Sequence, residues 1–313
     1  MKEHFELGKF LRKHYTGFLS KNYKRSEITV RSTDHDRTLM SAASNLAGLY
    51  PPSVSQRFYF CLEWQPIPIH TVPLKDDRLL SFPLLNCPLY QSLIHETKIT
   101  KAFLNMTEMY KDFMEMVQKN TGLDLPSIET VWSVYDTLFC EKKHGMRLPD
   151  WVTSDVMKKL KVLNNFSFQF MFGLHKRKEK CRLQGGLLLD QIIKNMTAVA
   201  NSTEHVKMIM YSTHDTTIVA LQEALNVYNG LQPPYASCHI FELNQHDNGS
   251  FFVEMFYRND RSMAKLLTLP GCAQQCPLEK FIKLTHSVIP TDWHKECQLS
   301  ASSSDNDKPT HPF

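Results

Sequence analysis

The stretch KMIMYSTHDTT, residues 207–217, constrains this chain more than any other. An apolar run from Met208 to Tyr211 stops at Ser212-Thr213-His214-Asp215, and a helical pattern through Ile218, Leu221 and Leu225 begins at once. The first part reads as a buried strand and the second as its turn into a helix. Strands that feed directly into helices are the unit of α/β folds, where ligands gather at the carboxyl ends of the strands. An imidazole and a carboxyl group are thus delivered side by side to the place where that fold class does its chemistry.

A second cluster has the same setting. Ile28 to Arg31 reads as a short strand closing in RSTDHDRT, and Leu39, Met40, Ala43, Leu46 and Leu49 then mark one face of a helix that Pro51-Pro52 stops. Arg31 projects from the strand end, and its planar fork suits a phosphate or a carboxylate. A plainer reading stands beside it: an Arg31–Asp34 or Asp36–Arg37 surface pair, with Asp34 capping the helix. For the first cluster the plain reading makes Asp215 a helix cap and His214 a hydrogen-bonded, half-buried side chain. The functional reading makes Asp215 a proton donor beside a charge-stabilising imidazole. A donor carboxyl works only while protonated, so acidic conditions favour it.

The rest of the chain frames these clusters. MKEHFELGKFLRKHY and the residues after it carry Leu7, Phe10, Leu11, Tyr15 and Phe18 at helical spacing without an N-cap, so the chain is expected to begin mid-structure. Residues 57–73 are β-prone and then proline-punctuated, which predicts a strand and an extended excursion. From 88 to 182 the pattern is almost wholly helical, with Gly122 and Gly145 closing helices and a Ser/Thr cap before VMKKLKVL. One more helix spans 187–200, and HIFEL and SFFVEMFYR pair through Asn248-Gly249. SASSSDNDKPTHPF has no core to offer and is expected to be disordered. No internal repeat is evident. The expectation is an α/β fold, a central mixed sheet flanked by helices. Residues 1–87 and 183–299 form its large domain, 88–182 an inserted helical subdomain and 300–313 a tail.

Composition narrows function by exclusion. The net charge of +4 is mild, and HKRKEK at 175–180 reads as a solvated helix face, so no nucleic-acid partner is expected. No apolar segment approaches the ~20 residues that span a bilayer. G-x-S-x-G, G-x-G-x-x-G, P-loop and H-E-x-x-H motifs do not occur. Cys272 and Cys276 lie in PGCAQQCP, and a zinc reading needs two further ligands that do not stand out, so disulfides in a secretory compartment are the better reading. Asn105, Asn165, Asn195, Asn201 and Asn248 are glycosylation sequons.

RSTDHDRTLMSA, EWQPIPIHTVP, VYDTLFCE, KCRLQGG, MYSTHDTT, VYNGLQPPYASCHIFEL and LPGCAQQCPLEKF, in this order, resemble the histidine acid phosphatases over residues 1 to 299. The resemblance implies a phosphomonoesterase, with a histidine that attacks phosphorus and water that then releases orthophosphate. It implies that Arg31 holds the phosphoryl oxygens, that His214 contacts the transferring group and stabilises its charge, and that Asp215 protonates the leaving alcohol. No metal or other cofactor is implied, since arginines and an imidazole supply the positive field. It further implies disulfides Cys87–Cys297, Cys140–Cys238 and Cys272–Cys276, a homodimer, glycosylation, and a lysosomal or secreted location. The family's R-H-G-x-R-x-P motif, which carries the nucleophile on a central strand, occurs nowhere in this sequence. The expectation is a truncated chain without that strand, signal peptide or membrane anchor. It is expected to be inactive as it stands, or a non-catalytic isoform that binds on the same fold.

Overall fold

A computed structural model describes residues 1–124, 127–201, 206–260 and 263–299. The chain runs through α1 (Lys2–His14), β1 (Ile28–Ser32) and α2 (Asp36–Leu49), then α3 (Pro88–Lys98), α4 (Lys101–Met109), α5 (Lys111–Thr121), α6 (Val131–Lys143), α7 (Ser154–Phe172), α8 (Arg177–Leu183) and α9 (Gly185–Ala200). β2 (Met208–Ser212), α10 (Asp215–Ala224), β3 (Cys238–Gln245), β4 (Phe251–Arg258), β5 (Lys265–Leu267), β6 (Cys276–Pro277), α11 (Leu278–Thr285) and α12 (Trp293–Glu296) complete it. The expected tail, 300–313, lies outside the described residues.

β1 and β2 pair in parallel, with Arg31 opposite Tyr211 and Ser32 opposite Ser212. β3 and β4 form the hairpin the sequence predicts, turning through Gly249 at φ +86, and β5 and β6 extend it antiparallel. Parallel and antiparallel pairings therefore both occur, but in two sheets rather than the one mixed sheet expected. The two sheets share a core: Ile28 and Val30 from β1 cluster with Leu7, Leu11, Leu46, Leu49 and Ile240. Each such leucine buried adds about 1.5–3 kcal/mol of driving force. α1 crosses α2 closely enough that a Cβ on Gly8 would sit 2.0 Å from the Asn45 carbonyl oxygen, and one on Gly48 would sit 2.1 Å from that of Phe5. Only glycine lets these backbones meet.

The helical stretch has its own core, running from Phe103 through Val117, Val131, Leu160 and Leu163 to Phe170. Tyr90 and Leu93 of α3 and Phe168 and Phe172 of α7 belong instead to the large cluster around Leu189, Val219 and Phe281. α7 starts at the expected cap, with Thr153 accepting from the Val156 amide, and Gly122 takes the left-handed conformation after α5.

Several expectations change. Residues 57–69 form no strand; only His70 bridges to Arg31, because Pro66 and Pro68 withhold the donors a ladder needs. His35, not Asp34, stands at the N-cap of α2. Lys180, at the end of the basic run, is fully buried and donates to Thr97 Oγ1 (2.6 Å) and the Phe170 carbonyl (2.8 Å), and burial lowers its pKa to about 8. Cys87–Cys297 and Cys272–Cys276 are disulfides, whereas Cys140 and Cys238 are free thiols. The Cys140 sulfur sits 2.8 Å from the Tyr235 hydroxyl, and that of Cys238 turns to the His239 carbonyl instead.

Candidate active site

The parallel pairing of β1 with β2 brings the two polar clusters to one end of one sheet. The hydroxyls of YSTHDTT fasten the end of β2. Ser212 Oγ donates to the Thr38 carbonyl (2.8 Å), and Thr213 and Thr217 both donate to that of Leu80 (2.8 and 2.7 Å). The Thr33 amide donates to the Ser212 carbonyl (3.1 Å), which continues the ladder one residue past β1.

Arg31 does not make the surface pair with Asp34 that a plain reading of the sequence offered. Its Nη2 donates to Asp77 Oδ1 at 2.6 Å, and the Asp77 side chain is wholly buried. The same oxygen accepts from the Leu79 and Leu80 amides, both at 3.1 Å, so the carboxylate is fixed by three donors. Arg31 Nε is buried with no acceptor. Asp77 Oδ2 is likewise buried without a donor, so neither side of this pair is fully satisfied.

His214 is the N-cap residue of α10 and is held at both ring nitrogens. Arg37 Nη2 lies 3.3 Å from Nδ1, and Thr33 Oγ1 lies 3.1 Å from Nε2. Arginine has no acceptor, so Nδ1 takes that bond and the ring proton sits on Nε2, which donates to Thr33. Burial, then the charge of Arg37 and then His35, push this imidazole down to about 4. It is neutral over most of the acid range.

Asp215 does not cap its helix in the usual way. Oδ1 accepts from the Thr216 amide (2.8 Å), and Oδ2 accepts from Gln232 Nε2 (3.0 Å). Gln232 is itself clamped by α7: its Oε1 accepts from Asn164 Nδ2 (3.0 Å) and its amide donates to Asn165 Oδ1 (2.9 Å). Asp136, half-buried on α6, reaches the same neighbourhood; burial first and Asp215 second push its carboxyl above the ordinary range, with Arg37 opposing. Residues from three parts of the chain therefore surround the carboxyl group of Asp215.

Sequence reasoning placed Arg31, His214 and Asp215 at strand ends, and the parallel pairing sets those two ends side by side. It missed Asp77, Thr33, Arg37, Gln232, Asn164 and Asp136. Asp136 lay inside VYDTLFCE and Arg37 inside RSTDHDRT, so the quoted blocks held a signal that strand-end logic did not use. Gln232 likewise lay inside VYNGLQPPYASCHIFEL, whereas Asn164 had none, because its partner is distant in sequence. Among the described residues no group of three or more His, Cys, Asp or Glu side chains forms a metal cage, and no helix is long and apolar enough to cross a membrane.

A family model described as histidine phosphatase superfamily (branch 2) matches residues 1–258. Lysosomal acid phosphatase from Homo sapiens is 54% identical over 308 residues, covering 98% of this chain and 73% of the relative. Prostatic acid phosphatase from Bos taurus is 50% identical over 301 residues, covering 96% of this chain and 78% of the relative. Among solved structures, the phytase from Citrobacter braakii aligns with a TM-score of 0.66 at 17% identity, covering 95% of this chain and 88% of that one. A Klebsiella phytase aligns at 0.70 and 15% identity, covering 96% and 86%. At those identities the likeness is one of fold.

Proposed function

The chain belongs to branch 2 of the histidine phosphatase superfamily, and from that premise we propose that it takes phosphate monoesters at the joined ends of β1 and β2. The observation that carries this reading is the part-exposed guanidinium of Arg31, set one strand away from an imidazole and a carboxyl group. Arg31 grips the phosphoryl oxygens, Arg37 adds positive charge, and His214 contributes an N–H from a neutral ring. Asp215 gives its proton to the leaving alcohol, with Gln232 holding the carboxyl toward it. Such fixed donors stabilise charge as it develops and need no reorganisation at the moment of reaction.

Hydrolysis through a phosphohistidine also needs a nucleophile. R-H-G-x-R-x-P is not among these 313 residues, so on this reading they bind the ester without turning it over by that route. The lysosome is the compartment that the relatives' names favour, and a homodimer is the assembly that the resemblance implies. We assign glycans to exposed Asn105, Asn201 and Asn248 rather than to half-buried Asn165 or Asn195.

The test is calorimetry of orthophosphate on the purified 313-residue chain beside an aryl-phosphate assay at about pH 5. Binding that Arg31→Ala abolishes, without turnover, is expected. Turnover that disappears in Asp215→Asn would sink the non-catalytic part of the reading. Absence of binding would sink the site itself.

A further inference from the structure

The two strand ends are built on one plan that the linear sequence hides. β1 leaves in Ser32-Thr33-Asp34-His35-Asp36-Arg37-Thr38, and β2 leaves in Ser212-Thr213-His214-Asp215-Thr216-Thr217. With Asp34 set aside as one extra residue, both read Ser-Thr-His-Asp-x-Thr. The correspondence is physical as well. Ser32 is the register partner of Ser212. Thr33 Oγ1 bonds Thr38 Oγ1 at 2.8 Å, and Thr213 Oγ1 bonds Thr217 Oγ1 at the same distance. His35 is the N-cap residue of α2 and His214 that of α10, and neither helix start is closed by a side-chain cap. Serine, threonine, aspartate and asparagine are the residues that usually serve there.

The two imidazoles meet edge to face, their centroids 5.2 Å apart. They differ in what holds them. Both nitrogens of His214 are taken, by Thr33 and Arg37. The half-buried ring of His35 has no hydrogen-bond or ion-pair partner among the described residues, its one ring contact being His214 itself.

We propose that His35 is a second phosphoryl-binding imidazole, the counterpart of His214 on the neighbouring strand, so that the phosphoryl group sits where two parallel strands turn into two uncapped helices. This rests on the phosphate-ester reading above and extends it to a residue that reading does not use. The positive ends of α2 and α10 and the charge of Arg37 favour the same anion. A free ring nitrogen on His35 adds a donor that His214 supplies only by giving up Thr33.

The test uses the 313-residue chain, orthophosphate as the probe, and ¹⁵N-labelled histidine. In the wild-type chain the His35 ring resonances, identified by their loss in His35→Ala, shift as orthophosphate is added, with the dissociation constant that calorimetry gives. His35→Ala weakens orthophosphate binding about tenfold, the size of one hydrogen bond to a charged group. His35→Gln, which keeps a donor, recovers part of that loss. A ring that scaffolds the strand end without touching the ligand would lower the unfolding temperature and leave the ring resonances unmoved by phosphate. That result overturns the proposal. If His35→Ala binds as tightly as wild type while Arg31→Ala does not bind, His35 is excluded and the site reading survives. If the wild-type chain binds no orthophosphate, both fall.

Discussion

The end of β1 and the end of β2 carry matching residues in matching places, yet they are secured by different parts of the chain. Arg31 is fixed by Asp77, a carboxylate with no solvent exposure that also takes the Leu79 and Leu80 amides. Asp215 is fixed by Gln232, which hangs from Asn164 and Asn165 on α7. Arg31 is thus anchored by the loop between α2 and α3, through a buried carboxylate. Asp215 answers to the helical stretch, through neutral amides.

The comparison breaks most visibly at Asp77. Asp77→Ala strands the guanidinium of Arg31 and two backbone amides, and loss of one partner of a buried pair costs about 3–5 kcal/mol. Urea unfolding measures it, and a loss below about 1 kcal/mol would show that the pair is not structural. At Gln232 the expected effect is smaller. Gln232→Leu removes hydrogen bonds from a half-buried side chain and costs about 1 kcal/mol. A double-mutant cycle with Asn164→Leu then reads a coupling of about 0.5–1.5 kcal/mol. Strictly additive effects would mean that the relay from α7 to Asp215 carries no energy.

A third test sharpens the contrast through pH. His214 titrates at about 4 in the folded chain, whereas an unperturbed histidine titrates near ~6.5. Between those values the unfolded chain holds a proton that the folded chain lacks, so this group makes stability rise with pH across the window. Its contribution is complete above the unfolded value and is lost as pH falls toward the folded one. Arg37→Ala removes the second cause of the depression and moves the His214 titration upward, though burial, the first cause, keeps it below the ordinary value. Histidine NMR titration follows both, and an unmoved midpoint would discount the Arg37 contact.

Much of this was legible from residues alone. Period-2 and period-3.6 patterns announced β1, α2, β2, α10 and the β3–β4 hairpin, because alternation and helical spacing are local properties that burial imposes on sequence. Arg31, His214 and Asp215 could be named because each stands where a strand pattern gives way to a helix pattern, which is visible in sequence. Pairings did not follow from the same logic. Arg31 had Asp34 and Asp36 nearby in sequence and chose Asp77, 46 residues on. Cys140 and Cys238, paired on the strength of a resemblance, are free thiols. The β-prone run at 57–69 has the composition of a strand, but prolines deny it a ladder.

What the sequence determined by itself was the main elements around two strand ends and the residue types that stand there, since both follow from short-range pattern. What tertiary structure alone decided was that those ends lie side by side in parallel register, that a buried carboxylate holds one and a helical amide relay the other, and that His35 faces His214 across 5.2 Å. The physical reason is reach. Propensity and periodicity act over a few residues, whereas a hydrogen bond in the core selects its partner from whatever folding has brought within about 3 Å.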